Sequence, residues 1–200
     1  MQELQAQLDE DAISVELASP SDARALAKLY ASVYRGIYPN PELFTIAGMA
    51  ELLNFSKSHA YTMKVTCQQE VVAGCTFQLH GRAAYCRGFM VAPQWQGRIR
   101  AKQVFDHLLL DAREVLKGKA DYFYGELRTE AAKVQSIAEG VGMRPFALLP
   151  RKDIFHGKRE SEVIYAWFYA QPVIRPLVMT RASARMASVV LGGMVPCFDP

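Results

Sequence analysis

The residues best suited to chemistry stand together at Gln96, Gly97, Arg98, Ile99, Arg100, Ala101 and Lys102, after the apolar run Phe89-Met90-Val91 and a turn at Ala92-Pro93. The apolar run reads as a strand, and the residues from Ala101 onward as a long amphipathic helix. A helix start leaves backbone N–H groups without intrahelical acceptors and carries partial positive charge. With a glycine and three cations beside it, this start reads as a cradle for a phosphate-bearing cofactor. A solvated surface turn is the plainer alternative.

Other candidates are sparser. Glu126 lies in the strand-like run Asp121–Leu127, where alternation puts it on one face with Tyr122 and Tyr124. It is either a chemical base or a salt-bridged strand residue. Glu130 complements the dipole of a following helix. Cys86 has no histidine next to it in sequence to activate it and reads as a buried thiol. His80 and His156 fall at a strand end and in a loop. Cys67, Cys75, Cys86 and Cys197 form no Cys-x-x-Cys pair, and no histidine stands at zinc-like spacing, so no metal site is expected.

Those groups must be held by an ordinary globular core. The chain has 200 residues, half of them apolar, enough for one domain without disulfide or metal support. A net charge of +3 and the absence of a long Lys/Arg run argue against nucleic acid as a partner. No basic start followed by an apolar run marks a signal peptide, and no stretch reaches the ~20 apolar residues of a membrane span. The expected setting is cytoplasmic.

The patterning divides the chain into an acidic leader over 1–12, a domain over 13–170 and an extension over 171–200. Ile13–Leu17 alternates as a strand. Ser19-Pro20-Ser21-Asp22 opens a helix that ends near Gly36, and a second helix is expected over Pro41–Phe55. Tyr61–Cys67, Val71–Leu79 and Ala83–Val91 have period two and form an antiparallel meander. Ala101–Leu116 is the best-defined helix, stopped by Gly118. Asp121–Leu127 is a strand, Glu130–Glu139 a helix ending at Gly140. Met143–Leu149 and Glu162–Tyr169 are a last strand pair around a basic loop, Pro150–Ser161. The Pro- and Met-containing extension can pack on the domain or on another chain, a homodimer included.

This order, with a strand, turn and basic helix at its centre, resembles the GNAT N-acetyltransferase superfamily over roughly residues 13 to 170. The resemblance rests on Ser21-Asp22-Ala23, on Gly74 after Val71-Val72-Ala73, on Val91-x-Pro93, on Gln96-Gly97-Arg98-Ile99-Arg100-Ala101 and on Ala138-Glu139-x-x-Gly142-Met143. It implies a mixed, mostly antiparallel sheet of six to seven strands with a splayed parallel pair and about four helices. It also implies an acyl-CoA-dependent N-acyltransferase, using acetyl-CoA as co-substrate and an amine of a small molecule or peptide as acceptor. Backbone amides of Gly97 to Lys102 would take the pyrophosphate of coenzyme A, and Arg98, Arg100 or Lys102 would add charge. Amides of Met90 or Val91 would polarise the thioester, whose pantetheine arm would lie between the strand ending at Val91 and the strand 121–127. Glu126 is the candidate base.

The chain departs from the family pattern at Ile99, where a glycine is usual. It departs again at Ala138, where the family has a proton-donating tyrosine, and at Tyr85-Cys86-Arg87-Gly88, which carries no acid. Two alternatives therefore stand beside the enzyme. One is a catalytically degenerate protein that binds CoA or a metabolite; the other is an interaction module that docks through its extension.

Overall fold

The computed structural model describes residues 13–38, 40–96, 101–155 and 157–170. It divides into two compact units, one through Ala120 and one from Asp121. The expected leader and extension lie outside the described residues.

The first unit is built on four antiparallel strands in the order β1 (Ile13–Leu17), β2 (Ala60–Cys67), β3 (Glu70–His80) and β4 (Ala83–Val91). The meander forms where alternation placed it. Gln68 and Gln69 both take positive φ, 51° and 66°, as the two central residues of a tight β2–β3 hairpin require. Helix α1 (Ala23–Tyr34) is started by a local device. The Ser19 N–H donates to Asp22 Oδ2 at 2.8 Å, and Asp22 Oδ1 accepts from Lys64 Nζ on β2 at 2.8 Å. One aspartate thus satisfies a helix-start donor and pins the helix to the sheet. Leu26 and Tyr30, fully buried, carry the packing of α1.

The second expected helix is not continuous. A 3-10 turn over Pro41–Phe44 comes first, then α2 (Ile46–Leu53), then the single turn α3 (Phe55–Ser58). Thr45 causes the first break: its backbone is extended, and its hydroxyl accepts from Gly48 N at 3.1 Å, capping a new helix. Asn54, also extended, makes the second. Helix α4 (Ala101–Leu116) forms as its periodicity requires, burying Val104, Phe105, Leu108, Leu109, Ala112 and Leu116. Gly118 beyond it takes φ +74°.

The second unit holds β5 (Tyr122–Arg128), α5 (Ala132–Gly140), β6 (Arg144–Phe155) and β7 (Lys158–Phe168). Strand β7 lies between β5 and β6, antiparallel to both. Phe123, Ala138, Met143, Tyr165 and Ala166 are its buried core. The basic stretch expected as a loop over Pro150–Ser161 is mostly strand: Asp153 pairs Glu160, Ile154 pairs Arg159 and Phe155 pairs Lys158, around a turn with Gly157 at φ +77°. Charge hid the strand period because this arm is solvated. It is held by cross-strand pairs, including a bidentate Arg128–Glu160 contact at 2.6 and 2.7 Å. Gly140 closes α5, but the left-handed residue that turns the chain into β6 is Gly142, φ +86°.

Among the described residues, seven strands, mostly antiparallel, with four helices of at least two turns, make a mixed α/β fold of the class expected.

Candidate functional site

The turn between β4 and α4 is anchored from below. Met90 and Val91 are buried and pair with Gly74 and Ala73 on β3. The chain then leaves the sheet through a 3-10 turn, Pro93–Trp95, whose indole is buried. Glu70, the first residue of β3, holds this turn twice: Oε1 accepts from Gln94 Nε2 at 3.0 Å and Oε2 from Trp95 Nε1 at 3.3 Å. Gln96 bonds back to β4, its Nε2 donating to the Val91 carbonyl at 3.0 Å. Its side chain fastens the turn. Phe105 of α4 meets Phe89 edge-on, ring centroids 4.5 Å apart, which fixes the helix against β4.

Gly97, Arg98, Ile99 and Arg100 lie outside the described residues. Among the described residues helix α4 runs from Ala101, directly after this stretch. No acid stands in this first turn to oppose an anion. Donors and cations of this kind suit a pyrophosphate.

Beside β4 stands a cluster that spacing alone did not assemble. Tyr30, Tyr34 and Tyr38 pack together, with ring centroids 5.6, 5.3 and 4.4 Å apart. The Tyr34 hydroxyl donates to the Phe89 carbonyl at 3.5 Å, and Arg87 Nη1 to Asn40 Oδ1 at 3.3 Å. Gly88 takes φ +65°, and a Cβ there would lie 2.2 Å from the Tyr30 hydroxyl, so only glycine fits. Burial raises the phenols of Tyr30 and Tyr34 well above their usual range. It pushes Tyr38 up to about 12, with Arg87 opposing. All three are neutral at physiological pH. Tyr30 and Tyr34 are four apart on one face of α1, and Gly88 at the β4 bulge meets them from the sheet.

In the second unit, Glu126 Oε2 lies 2.5 Å from Lys152 Nζ, and Glu162 Oε2 lies 3.1 Å from the same ammonium. Glu162 is almost fully buried, and burial raises its pKa although Lys152 opposes the shift. Lys152 reaches inward because β6 bulges between Leu149 and Asp153, with Arg151 at φ 51°. The sequence placed Lys152 in a basic loop, so this partner was not foreseen. Ala138, where the resemblance implies a tyrosine, is fully buried. Among the described residues no group of three His, Cys, Asp or Glu is placed to hold a metal, and no helix is long and apolar enough to cross a membrane.

No protein-family model and no curated protein sequence matches the chain. Solved structures do. An N-acetyltransferase from Staphylococcus aureus superposes with a TM-score of 0.63 at 8% identity, covering 78% of this chain and 97% of that one. RimL, a ribosomal L7/L12 alpha-N-protein acetyltransferase in complex with coenzyme A, gives 0.64 at 16% identity, covering 78% and 94%. A variant of the spermidine N-acetyltransferase SpeG from Vibrio cholerae gives 0.65 at 16% identity, covering 79% and 94%. At these identities the likeness speaks for architecture: the chain has the fold of the GNAT N-acetyltransferase superfamily.

Proposed function

We propose that the chain is an acyl-CoA-dependent N-acyltransferase that moves an acetyl group from acetyl-CoA to an amine of a small molecule or peptide. The observation that carries this reading is the junction of β4, the Glu70-anchored turn and the acid-free start of α4, within a fold that RimL uses while holding coenzyme A.

In this reading the backbone N–H groups from Gly97 to Lys102 donate to the pyrophosphate, and Arg98, Arg100 or Lys102 neutralise it. The Met90 or Val91 amide stabilises the charge that develops on the thioester oxygen. Glu126 takes the proton the amine loses, directly or through water. The amine nitrogen bonds to the carbonyl carbon, the C–S bond breaks, and the thiolate is protonated by water, since Ala138 brings no donor. Glu126 must first be released from Lys152, because an ion-paired carboxylate is a weaker base.

A second reading, a protein that binds CoA without turnover, is favoured by that engaged carboxylate and by Ala138. A thioester-release assay over an amine panel separates the two. Catalysis predicts CoA release with at least one amine and a ~10²–10⁴-fold fall in kcat for Glu126→Gln. Acetyl-CoA binding with no release for any amine supports the second reading.

A further inference from the structure

We propose that Cys75 on β3 and Cys86 on β4 form a reversible disulfide when the protein meets a peroxide. Their Sγ atoms lie 3.2 Å apart, about an ångström beyond a disulfide bond of about 2.05 Å. The β4 bulge brings them together. Phe77 pairs Cys86 and Thr76 pairs Arg87, but the next pair is Gly74 with Met90, so Gly88 and Phe89 both stand opposite Cys75. This register puts Cys75 diagonal to Cys86 across two hydrogen-bonded strands.

The two thiols are unequal. Cys75 is 1% exposed and Cys86 is half-buried. The Cys86 contact and burial raise the Cys75 thiol well above its usual range. Cys86 is therefore the sulfur an oxidant reaches, and Cys75 the one that resolves it. The Cys86 thiolate attacks peroxide: an S–O bond forms, the O–O bond breaks and hydroxide leaves. The Cys75 sulfur then attacks the Cys86 sulfenic acid. An S–S bond forms, and the hydroxyl leaves with the Cys75 proton as water. Two thiols are oxidised and one peroxide is reduced to two waters. The new bond would clamp β3 to β4 at the bulge, immediately before Phe89, whose carbonyl meets Tyr34.

The test is peptide mapping of the full-length chain after hydrogen peroxide and alkylation of remaining thiols. Digestion with trypsin and a glutamate-specific protease cuts after Glu70 and so separates Cys67 from Cys75. The expected result is a cross-linked pair of peptides holding Cys75 and Cys86, short of two hydrogens and released by dithiothreitol. In Cys75→Ala, Cys86 should instead accumulate as sulfinic acid. Peroxide-treated protein in which Cys75 stays alkylatable while Cys86 is over-oxidised, or in which Cys86 links to Cys67 or Cys197, overturns the proposal. The readout needs neither acetyl-CoA nor an amine, so it is independent of the proposed transferase activity.

Discussion

The turn entering α4 and the face of β5 both set polar groups against an apolar core, and they do so in opposite ways. At the turn, one carboxylate, Glu70, is used up on two neutral N–H donors. The first described turn of α4, from Ala101, carries no acid. On β5 and β7 two carboxylates, Glu126 and Glu162, converge on the single ammonium of Lys152. The first arrangement holds a turn; the second spends its charges on itself. The proposed ligand-holding role rests on the first, and the proposed catalytic role for Glu126 requires its ion pair to open.

The largest effect expected is on the turn. Trp95→Ala removes a buried indole and should cost ~3–5 kcal/mol in urea unfolding, with a matching loss of acetyl-CoA affinity if the turn positions the cradle. Full affinity in a folded Trp95→Ala protein would detach the turn from binding. On the other side, Lys152→Met removes the ammonium that Glu126 and Glu162 share. It should cost ~2 kcal/mol at neutral pH, discounted for the partial exposure of Lys152. The cost should shrink in acid, where the raised pKa of Glu162 lets it protonate; a pH-independent cost would dissolve the contrast.

Smaller effects come from opposite titrations. Burial raises the Asp22 carboxyl, but Lys64 and the Ser19 N–H outweigh it and hold the group below 3.8. Its contribution is therefore complete above that value and is lost as pH falls through the lower folded-state value. Glu162 is shifted the other way, so its contribution is most favourable below 4.5 and declines as pH rises through its raised folded-state value. Asp22→Asn should cost ~1 kcal/mol at pH 7 and little near pH 2 in denaturant titrations. Least of all, Glu70→Gln keeps one acceptor for the turn and should cost ~0.5–1 kcal/mol, with binding nearly unchanged.

What the sequence made legible follows period and punctuation. Helix α4 declares itself because it buries one face, so its apolar residues recur at 3.6; the meander is marked by period two in sequence, although Val72–Phe77 of β3 is buried on both faces. Helix α1 is marked by Ser19-Pro20-Ser21-Asp22. The β6–β7 arm was hidden because both of its faces are wet and charged, which erases alternation. Thr45 breaking a helical run was readable in principle, since a threonine three residues before Gly48 is a cap. The pairing of Cys75 with Cys86, and of Glu126 with Lys152, depended on two bulges. One extra residue in β4 and two in β6 move side chains to new neighbours, and nothing in local spacing announces it.

Calorimetric titration of the full-length chain with acetyl-CoA tests the central claim most directly, run at low and high salt beside the Arg98→Ala/Arg100→Ala double variant. The account predicts saturable binding of one ligand per chain, at least ~10-fold weaker in the variant, with the difference narrowing as salt rises. No heat of binding at millimolar acetyl-CoA, or equal affinities in the two proteins, would contradict it.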